Sequence, residues 1–227
     1  FQYFYDIAQR PTHSIVIGGD RKKTDGSDDP LEHVFDRVIY GESLLTGNRT
    51  DANRLNEAAL QARNVLGQVF KHFDTGGLVD SPDYDFKGQP IATHRRLFGR
   101  YKEVVNWTEP IPATDLEDDI FTFLTETDAL GRITKQTAPD RSIITPSYNE
   151  AGLLDSETIW HLNDTAETEY IKNIDYNEKG QREKIEFGNG VKTEYQYDKN
   201  TFRLLSLITK RADNSLLQEL HYTYDAV

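Results

Sequence analysis

Between positions 183 and 197 the chain alternates apolar and charged residues with the two-residue period of a half-buried strand. Ile185 and Phe187 alternate with charged residues, Gly188-Asn189-Gly190 interrupts, and Val191, Thr193, Tyr195 and Tyr197 then alternate with Lys192, Glu194 and Gln196. A two-residue Asn-Gly turn would pair Phe187 with Lys192 and put the apolar sets on opposite faces. A three-residue loop over 188–190 pairs Phe187 with Val191 and Ile185 with Thr193, so register predicts that loop, with Gly190 left-handed. Leu216, Leu220, Tyr222 and Tyr224 repeat the alternation, with Gln218 as the exception.

A second pattern punctuates these strands: an aromatic or polar residue, Asp or Asn, two variable residues, Gly, and often Arg or Gln. Asp or Asn bonds its own backbone two residues on, and Gly accepts positive φ, so each copy predicts a turn. Copies stand at Tyr5-Asp6 (with Gln9 for Gly), Phe73-Asp74, Tyr84-Asp85, Thr127-Asp128, Tyr148-Asn149 and Tyr176-Asn177. Degenerate copies stand at Tyr197-Asp198, where Asn200 replaces a motif Gly, and at Tyr224-Asp225; Arg141 also sits where a turn Gly is common. From Asp128 the acidic or amide position recurs at 149, 177, 198 and 225, steps of 21, 28, 21 and 27. Such a period is too short for a propeller blade and matches one strand–turn–strand unit. The fold class expected is therefore all-β, built of repeated antiparallel hairpins that bury apolar area against their neighbours.

One stretch departs from this. Leu55, Ala59, Ala62, Leu66 and Val69 or Phe70 recur at steps of three and four, predicting an amphipathic helix over 51–70 that packs on a sheet, capped by Thr50 or Asp51. Residues 20–31 read as a polar loop. Residues 108–120, with Pro110, Pro112 and Asp115-Leu116-Glu117-Asp118-Asp119, read as an acidic linker between β segments 1–107 and 121–227. Phe1 in place of an initiator Met, and an end at Tyr224-Asp225-Ala226-Val227 inside a motif, predict a piece of a longer protein.

Composition narrows the partners. With 12 Tyr, 11 Phe and 2 Trp in 227 residues there is apolar area for a core, but a lean one. A net charge of −12 argues against nucleic-acid binding, which needs a positive surface, and suits solubility of a sheet-rich assembly. No run approaches the roughly 20 apolar residues of a spanning helix, so no membrane insertion by this segment is expected. Zero cysteines exclude disulfides, thiol catalysis and cysteine metal sites.

Candidate chemistry is sparse. Asp25, Asp28, Asp29 and Glu32 lack the spacing of a calcium loop and read as solvated. Glu117, Asp118 and Asp119 are adjacent, which suits a charged edge better than an acid/base pair. His13, His33, His72, His94, His161 and His221 form no two-ligand spacing, and His94-Arg95-Arg96 reads as a set of internal salt-bridge partners. Ile17-Gly18-Gly19-Asp20 is too short for a phosphate loop and lacks its lysine. Tyr and Asp together resemble a sugar-binding surface, but here the Tyr recurs because the turn recurs. The expectation is no catalytic residue, no metal, no cofactor and no enzymatic activity.

The ordered series of Tyr-Asp-x-x-Gly motifs resembles the Rhs/YD-repeat family. Phe73 to Val79, Tyr148 to Leu154 and Ile174 to Arg182, with Phe187-Gly188-Asn189-Gly190-Val191 and Thr201-Phe202-Arg203-Leu204, are most similar to the B component of bacterial insecticidal toxin complexes. The resemblance is weakest over 20–35 and 108–120. It implies a long spiralling sheet closing into a hollow shell that encloses a toxic effector before delivery into a target cell. It also implies neighbouring repeats of the same chain and a C-type toxin component as partners, and a bacterial protein that is secreted or cell-surface associated. No pair of Asp-Pro-x-Gly motifs is present, so no self-cleaving site is carried over. The alternative is a carbohydrate-binding or adhesion module, which predicts exposed ring faces at Tyr84, Tyr148, Tyr176 and Tyr197; the shell predicts them packed.

Overall fold

Short runs rich in aromatic and β-branched residues, separated by Asp/Asn/Gly turns, leave each strand only its sequence neighbours to pair with. In the computed structural model, which describes residues 1–19, 22–27, 30–45, 51–109 and 111–225 (backbone only at 51–56 and 113), fifteen antiparallel strands are ordered in sheet as in sequence, and the sheet does not close. They are β1 (Gln2–Tyr5), β2 (Pro11–Gly18), β3 (Leu31–Tyr40), β4 (Val69–Asp74), β5 (Gly77–Tyr84), β6 (Pro90–Leu97), β7 (Phe121–Thr127) and β8 (Ile133–Thr137). Then follow β9 (Ile143–Tyr148), β10 (Leu154–Trp160), β11 (Thr168–Tyr176), β12 (Arg182–Phe187), β13 (Lys192–Tyr197), β14 (Leu204–Lys210) and β15 (Leu216–His221). The all-β class read from the pattern is the observed one. Asp28, Asp29, Thr50, Pro110, Ala226 and Val227, which entered the sequence argument, lie outside the described residues.

The chain forms two compact units, Phe1–Thr125 and Glu126–Val227, with the division inside β7. The first has a core. Residues 98–120 fold back so that Val105, Trp107 and Leu116 meet Ile15, Val34, Phe73, Leu78 and Phe98, and Ile111 packs against the same cluster. Trp107 is fully buried, 5.2 Å from the Phe73 ring and 5.4 Å from Phe98, and its Nε1–H donates to the Asp74 carbonyl at 2.9 Å. Its backbone N–H donates to Val34 O at 2.8 Å, and Asn106 Oδ1 accepts the Val34 N–H at 3.1 Å, so two hydrogen bonds tie the segment to β3. Leu116 bridges to Phe98, and the acidic run after it is exposed.

The helix is shorter than its sequence pattern. Helix α1 covers Asp51–Ala62, while Val69 and Phe70 belong to β4. Asn64 stops it in the left-handed conformation, φ 51°. The Asn64 N–H donates to Gln61 O at 3.0 Å and the Val65 N–H to Leu60 O at 3.2 Å, the two bonds of a Schellman cap. Leu60 and Val65 are buried together beside Tyr84 with Leu66 and Phe70 of the expected stripe packed against them, whereas Ala59 and Ala62 are exposed. An Asn at the cap instead of Gly concealed the stop.

The second unit has no such cover. Among its described residues, only Ile174 and Ile185 of the large apolar side chains are buried. The ladder pairs Ile185 with Thr193 and Glu186 with Lys192, and the Phe187 N–H donates to Val191 O at 2.9 Å, the three-residue loop that register required. Gly190 is left-handed, φ 82°. By this alternation one face carries Ile185, Thr193, Tyr195, Leu207 and Leu220, and the other Lys184, Glu186, Lys192 and Glu194.

Candidate functional site

The repeated turn is the unit from which this molecule is made, and its geometry is uniform. At Asp128 the backbone N–H donates to Arg132 O at 2.9 Å, while Oδ1 accepts the N–H groups of Leu130 and Arg132 at 2.8 and 3.0 Å. Asp6 does the same with Ala8 and Arg10, Asp85 with Lys87 and Gln89, and Asn177 with Lys179 and Gln181. Asn149 Oδ1 accepts the Leu153 N–H at 3.0 Å. The fourth residue is left-handed in each: Gln9 (φ 62°), Gly88 (80°), Gly131 (81°), Gly152 (77°) and Gly180 (73°). Gln9 therefore keeps the turn without a glycine, because the carboxylate, not the glycine alone, organises it.

Two copies differ from their sequence reading. Asp198 N–H donates to Arg203 O, one residue further on, and Phe202 (φ 57°), not Asn200, takes the left-handed place. Asp74 closes a two-residue hairpin with Gly77, on the opposite edge from the turns at 6 and 85; its Oδ1 accepts the Gly76 N–H, and Arg95 grips both its oxygens at 2.7 and 2.8 Å.

The tyrosine before the turn does what the sequence did not disclose. Tyr148 Oη donates to Ile133 O at 2.9 Å, Tyr176 to Leu154 O at 2.7 Å, Tyr197 to Arg182 O at 3.0 Å and Tyr224 to Leu204 O at 2.8 Å. Tyr40 donates to Pro11 O at 3.0 Å and Tyr84 to Val69 O. For the four in the second unit and for Tyr40, the acceptor is the first residue after the preceding turn, so each repeat is pinned to the one before it. Where that turn ends in Arg, its guanidinium lies over the tyrosine ring: Arg10 on Tyr40 at 4.0 Å, Arg132 on Tyr148 at 4.7 Å and Arg203 on Tyr224 at 5.3 Å. Tyr84 is buried and the Tyr148, Tyr176 and Tyr197 rings are half-buried. Replacing Tyr176 with Phe removes one such bond and is expected to cost about 1 kcal/mol, read as a lower denaturant midpoint with unchanged slope; an unchanged midpoint would refute the pin.

The opposite edge uses a second turn, of which the sequence reading found the copy at 188–190 and the glycine-like place of Arg141 but not the recurrence. There Asp or Asn is third, a left-handed residue fourth, and the fifth residue donates back: Ser27 to Asp25 at 2.9 Å, Ser142 to Asp140 at 2.9 Å, Val191 to Asn189 at 3.0 Å and Ser215 to Asp213 at 2.9 Å. Arg141 (φ 70°) and Asn214 (φ 66°) fill the fourth place without glycine. The recurring Asp/Asn-x-Ser spacing was the available signal.

Backbone donors hold the turn carboxylates below the usual range: the Arg132 N–H and then its guanidinium at Asp128, the Arg10 N–H and guanidinium at Asp6, and the Thr201 N–H and hydroxyl at Asp198. At Asp74 burial pushes upward, and the Arg95 and Gly76 hydrogen bonds outweigh it. Groups depressed in the folded state stabilise it fully above the unfolded carboxylate pKa, about 3.9, and lose that contribution as pH falls through the folded value. Protection of the Leu130 and Arg132 amides against hydrogen exchange is therefore expected to fade below about pH 4, while Lys179 and Gln181, capped by the amide of Asn177, keep theirs. Parallel loss at both turns would refute the assignment.

The remaining candidates fall into structural roles. His94 pairs with Asp80 at 3.1 Å, Arg95 with Asp74, and Arg96 donates to Glu117 O at 2.9 and 2.8 Å, as internal partners. His72 lies 2.8 Å from Asp36, and His13 stacks on Phe4, its pKa lowered by burial and by Arg37. Among the described residues no three His, Asp or Glu side chains gather as a metal site, and no helix is long and apolar enough to cross a membrane.

Turns on one edge, pins across the repeats and strands in sequence order define the class: an Rhs/YD-repeat sheet. No family model matches the chain, but curated and solved proteins do. Toxin subunit YenC1 of Yersinia entomophaga is 31% identical over 244 residues, covering 98% of this chain and 24% of that protein. Toxin subunit YenC2 of the same organism is 29% identical over 175 residues, covering 72% and 18%. The crystal structure of TcdB2-TccC3-Cdc42 matches with a TM-score of 0.72 and 27% identity over 98% of this chain and 10% of that one. A Photorhabdus luminescens Tc holotoxin pore matches with a TM-score of 0.71 and 26% identity, over the same shares. The chain belongs with the Rhs/YD-repeat components of bacterial Tc toxins and spans about a quarter of the curated relative it matches over most of its length. The curated relatives bear the C designation, and the solved ones join B and C names.

Proposed function

We propose that this chain is a length of wall in an Rhs/YD-repeat shell that encloses a toxic effector before delivery, and that it has no catalytic role of its own. The observation that carries this reading is the tyrosine pin: Tyr148, Tyr176, Tyr197 and Tyr224 each fasten a new hairpin to the repeat before it, so the sheet grows in one direction at one thickness. A sheet so made has surface but little interior, as the second unit shows, and surface is what a container needs. Partners in this reading are neighbouring repeats of the same chain, a C-type toxin component and the enclosed effector, in a secreted bacterial assembly. The solved neighbours are complexes of TcdB2 with TccC3, which supports the C-type partner.

The carbohydrate-binding alternative needs the ring faces of Tyr84, Tyr148, Tyr176 and Tyr197, and all four hydroxyls are committed to backbone carbonyls. A protease-protection experiment tests the shell. The parent protein, assembled with a C-type component and its effector, is digested while the native mass of the particle is followed. An effector that resists protease for as long as the particle stays intact supports enclosure. An effector cut at the rate of the free polypeptide inside an intact particle overturns it, and binding on a glycan array would move the alternative ahead.

A further inference from the structure

The 28 residues between β3 and β4, 41 to 68, are far too many for a turn, yet both ends carry the marks of one. At the start Tyr40 makes the pin, donating to Pro11 O at 3.0 Å under the Arg10 guanidinium. Gly41 stands where the aspartate would stand, and its N–H donates to Gln68 O at 3.0 Å, the bond that closes the other turns between first and fifth residues. At the far end Gly67 has φ 83°, beside 80°, 81°, 77° and 73° at Gly88, Gly131, Gly152 and Gly180. Gln follows it, as Gln89 follows Gly88 and Gln181 follows Gly180. The next residue, Val69, gives its carbonyl to Tyr84, completing the following pin. Spacing agrees independently. Positions 41 and 85 are 44 residues apart; exchanging the 25 residues of 42–66 for the two found in the other turns leaves 21, the step from 128 to 149 and from 177 to 198.

We propose that residues 42–66 are spliced into a YD turn between its first and fourth positions, and that the two described ends of this insertion, Glu42 and residues 60–66, act as a clasp along the rim rather than as a part of the sheet's folding core. The clasp grips the unit behind it through Arg10, which donates to Glu42 Oε1 at 3.3 Å and Gly67 O at 3.5 Å. It grips the unit ahead through Arg63, paired with Asp83 at 2.9 Å, and Asn64, whose Nδ2 donates to Tyr84 O at 3.1 Å, while the Tyr84 N–H donates to Arg63 O at 3.0 Å. Val65, fully buried against Leu60 and Tyr84, seats it.

Two measurements in the intact chain test this. In the first, residues 41–68 are replaced by Asn-Glu-Lys-Gly-Gln, the sequence of the turn at 177–181. The β-sheet circular dichroism and the buried fluorescence of Trp107 are expected to persist, while hydrogen exchange at the Ala8, Arg10 and Tyr84 amides speeds up by about ten-fold or more. Loss of the sheet around Trp107 overturns the clasp. In the second, Gly67→Ala is compared with Gly180→Ala. A methyl meets nothing nearer than 3.9 Å at Gly67 or 3.6 Å at Gly180, so only the left-handed backbone is strained. Both are expected to lower the folding equilibrium constant by about five-fold; a silent Gly67→Ala beside a damaging Gly180→Ala overturns the turn assignment.

Discussion

Replacing Trp107 with alanine is expected to cost the first unit about 4 kcal/mol, the upper part of what a large aromatic truncation does in a core. Trp107 is fully buried and touches Phe73 and Phe98 directly. Its indole N–H is also the donor for the Asp74 carbonyl, at the base of the hairpin that Arg95 grips. Truncation therefore opens a cavity and leaves a polar atom short of its partner at the same place. Equilibrium denaturation, followed by the amides of β3 to β6, reads the loss. A change below about 1 kcal/mol would mean that residues 98–120 lie on the sheet without holding it. Trp107→Phe, which keeps a ring and removes the donor, is expected to fall between the wild type and alanine.

Gly188→Ala is expected to be the most damaging single-methyl change in the second unit. A Cβ built on Gly188 would stand 1.7 Å from the Glu169 carbonyl oxygen and 2.7 Å from its carbon, a clash with backbone that no rotamer change relieves. The Gly188 N–H donates to Tyr170 O at 3.1 Å, so moving apart also loses a bond between the ends of β11 and β12. Overpacking with a lost backbone bond puts the cost at about 3 kcal/mol. Gly190→Ala is the comparison, since there the nearest obstacle is the Ala212 side chain at 2.7 Å and the left-handed φ of 82° adds strain. Thermal unfolding of the two variants should rank Gly188→Ala as the less stable; the reverse order would mean that the β11–β12 spacing is softer than the ladder implies.

Much of this architecture is written locally. The Asp/Asn turns at 6, 85, 128, 149 and 177 were legible because the side chain that signals the turn bonds backbone N–H groups within the next four residues. The loop at 188–190 was legible because the period of two allows one register that puts Val191 and Thr193 on the same face as Phe187 and Ile185. Where a local rule had substitutes, reading failed. Asn64 ended α1 without a glycine, Asn214 took a left-handed place on the other edge, and the extra residue after Asp198 moved that place to Phe202.

The sequence by itself determined an all-β repeat and most of its turn positions, because those properties depend on residues within five positions of one another. Only the tertiary structure decided the rest. The tyrosine pins end on backbone carbonyls, such as Ile133 and Leu154, and a carbonyl is present at every residue, so no side chain marks the acceptor. The burial of Trp107 depends on partners at Val34 and Asp74, 73 and 33 residues away, which a period cannot reveal. The element at 42–66 hid the turn it interrupts, since the bond that defines that turn joins Gly41 to Gln68 through space rather than along the chain.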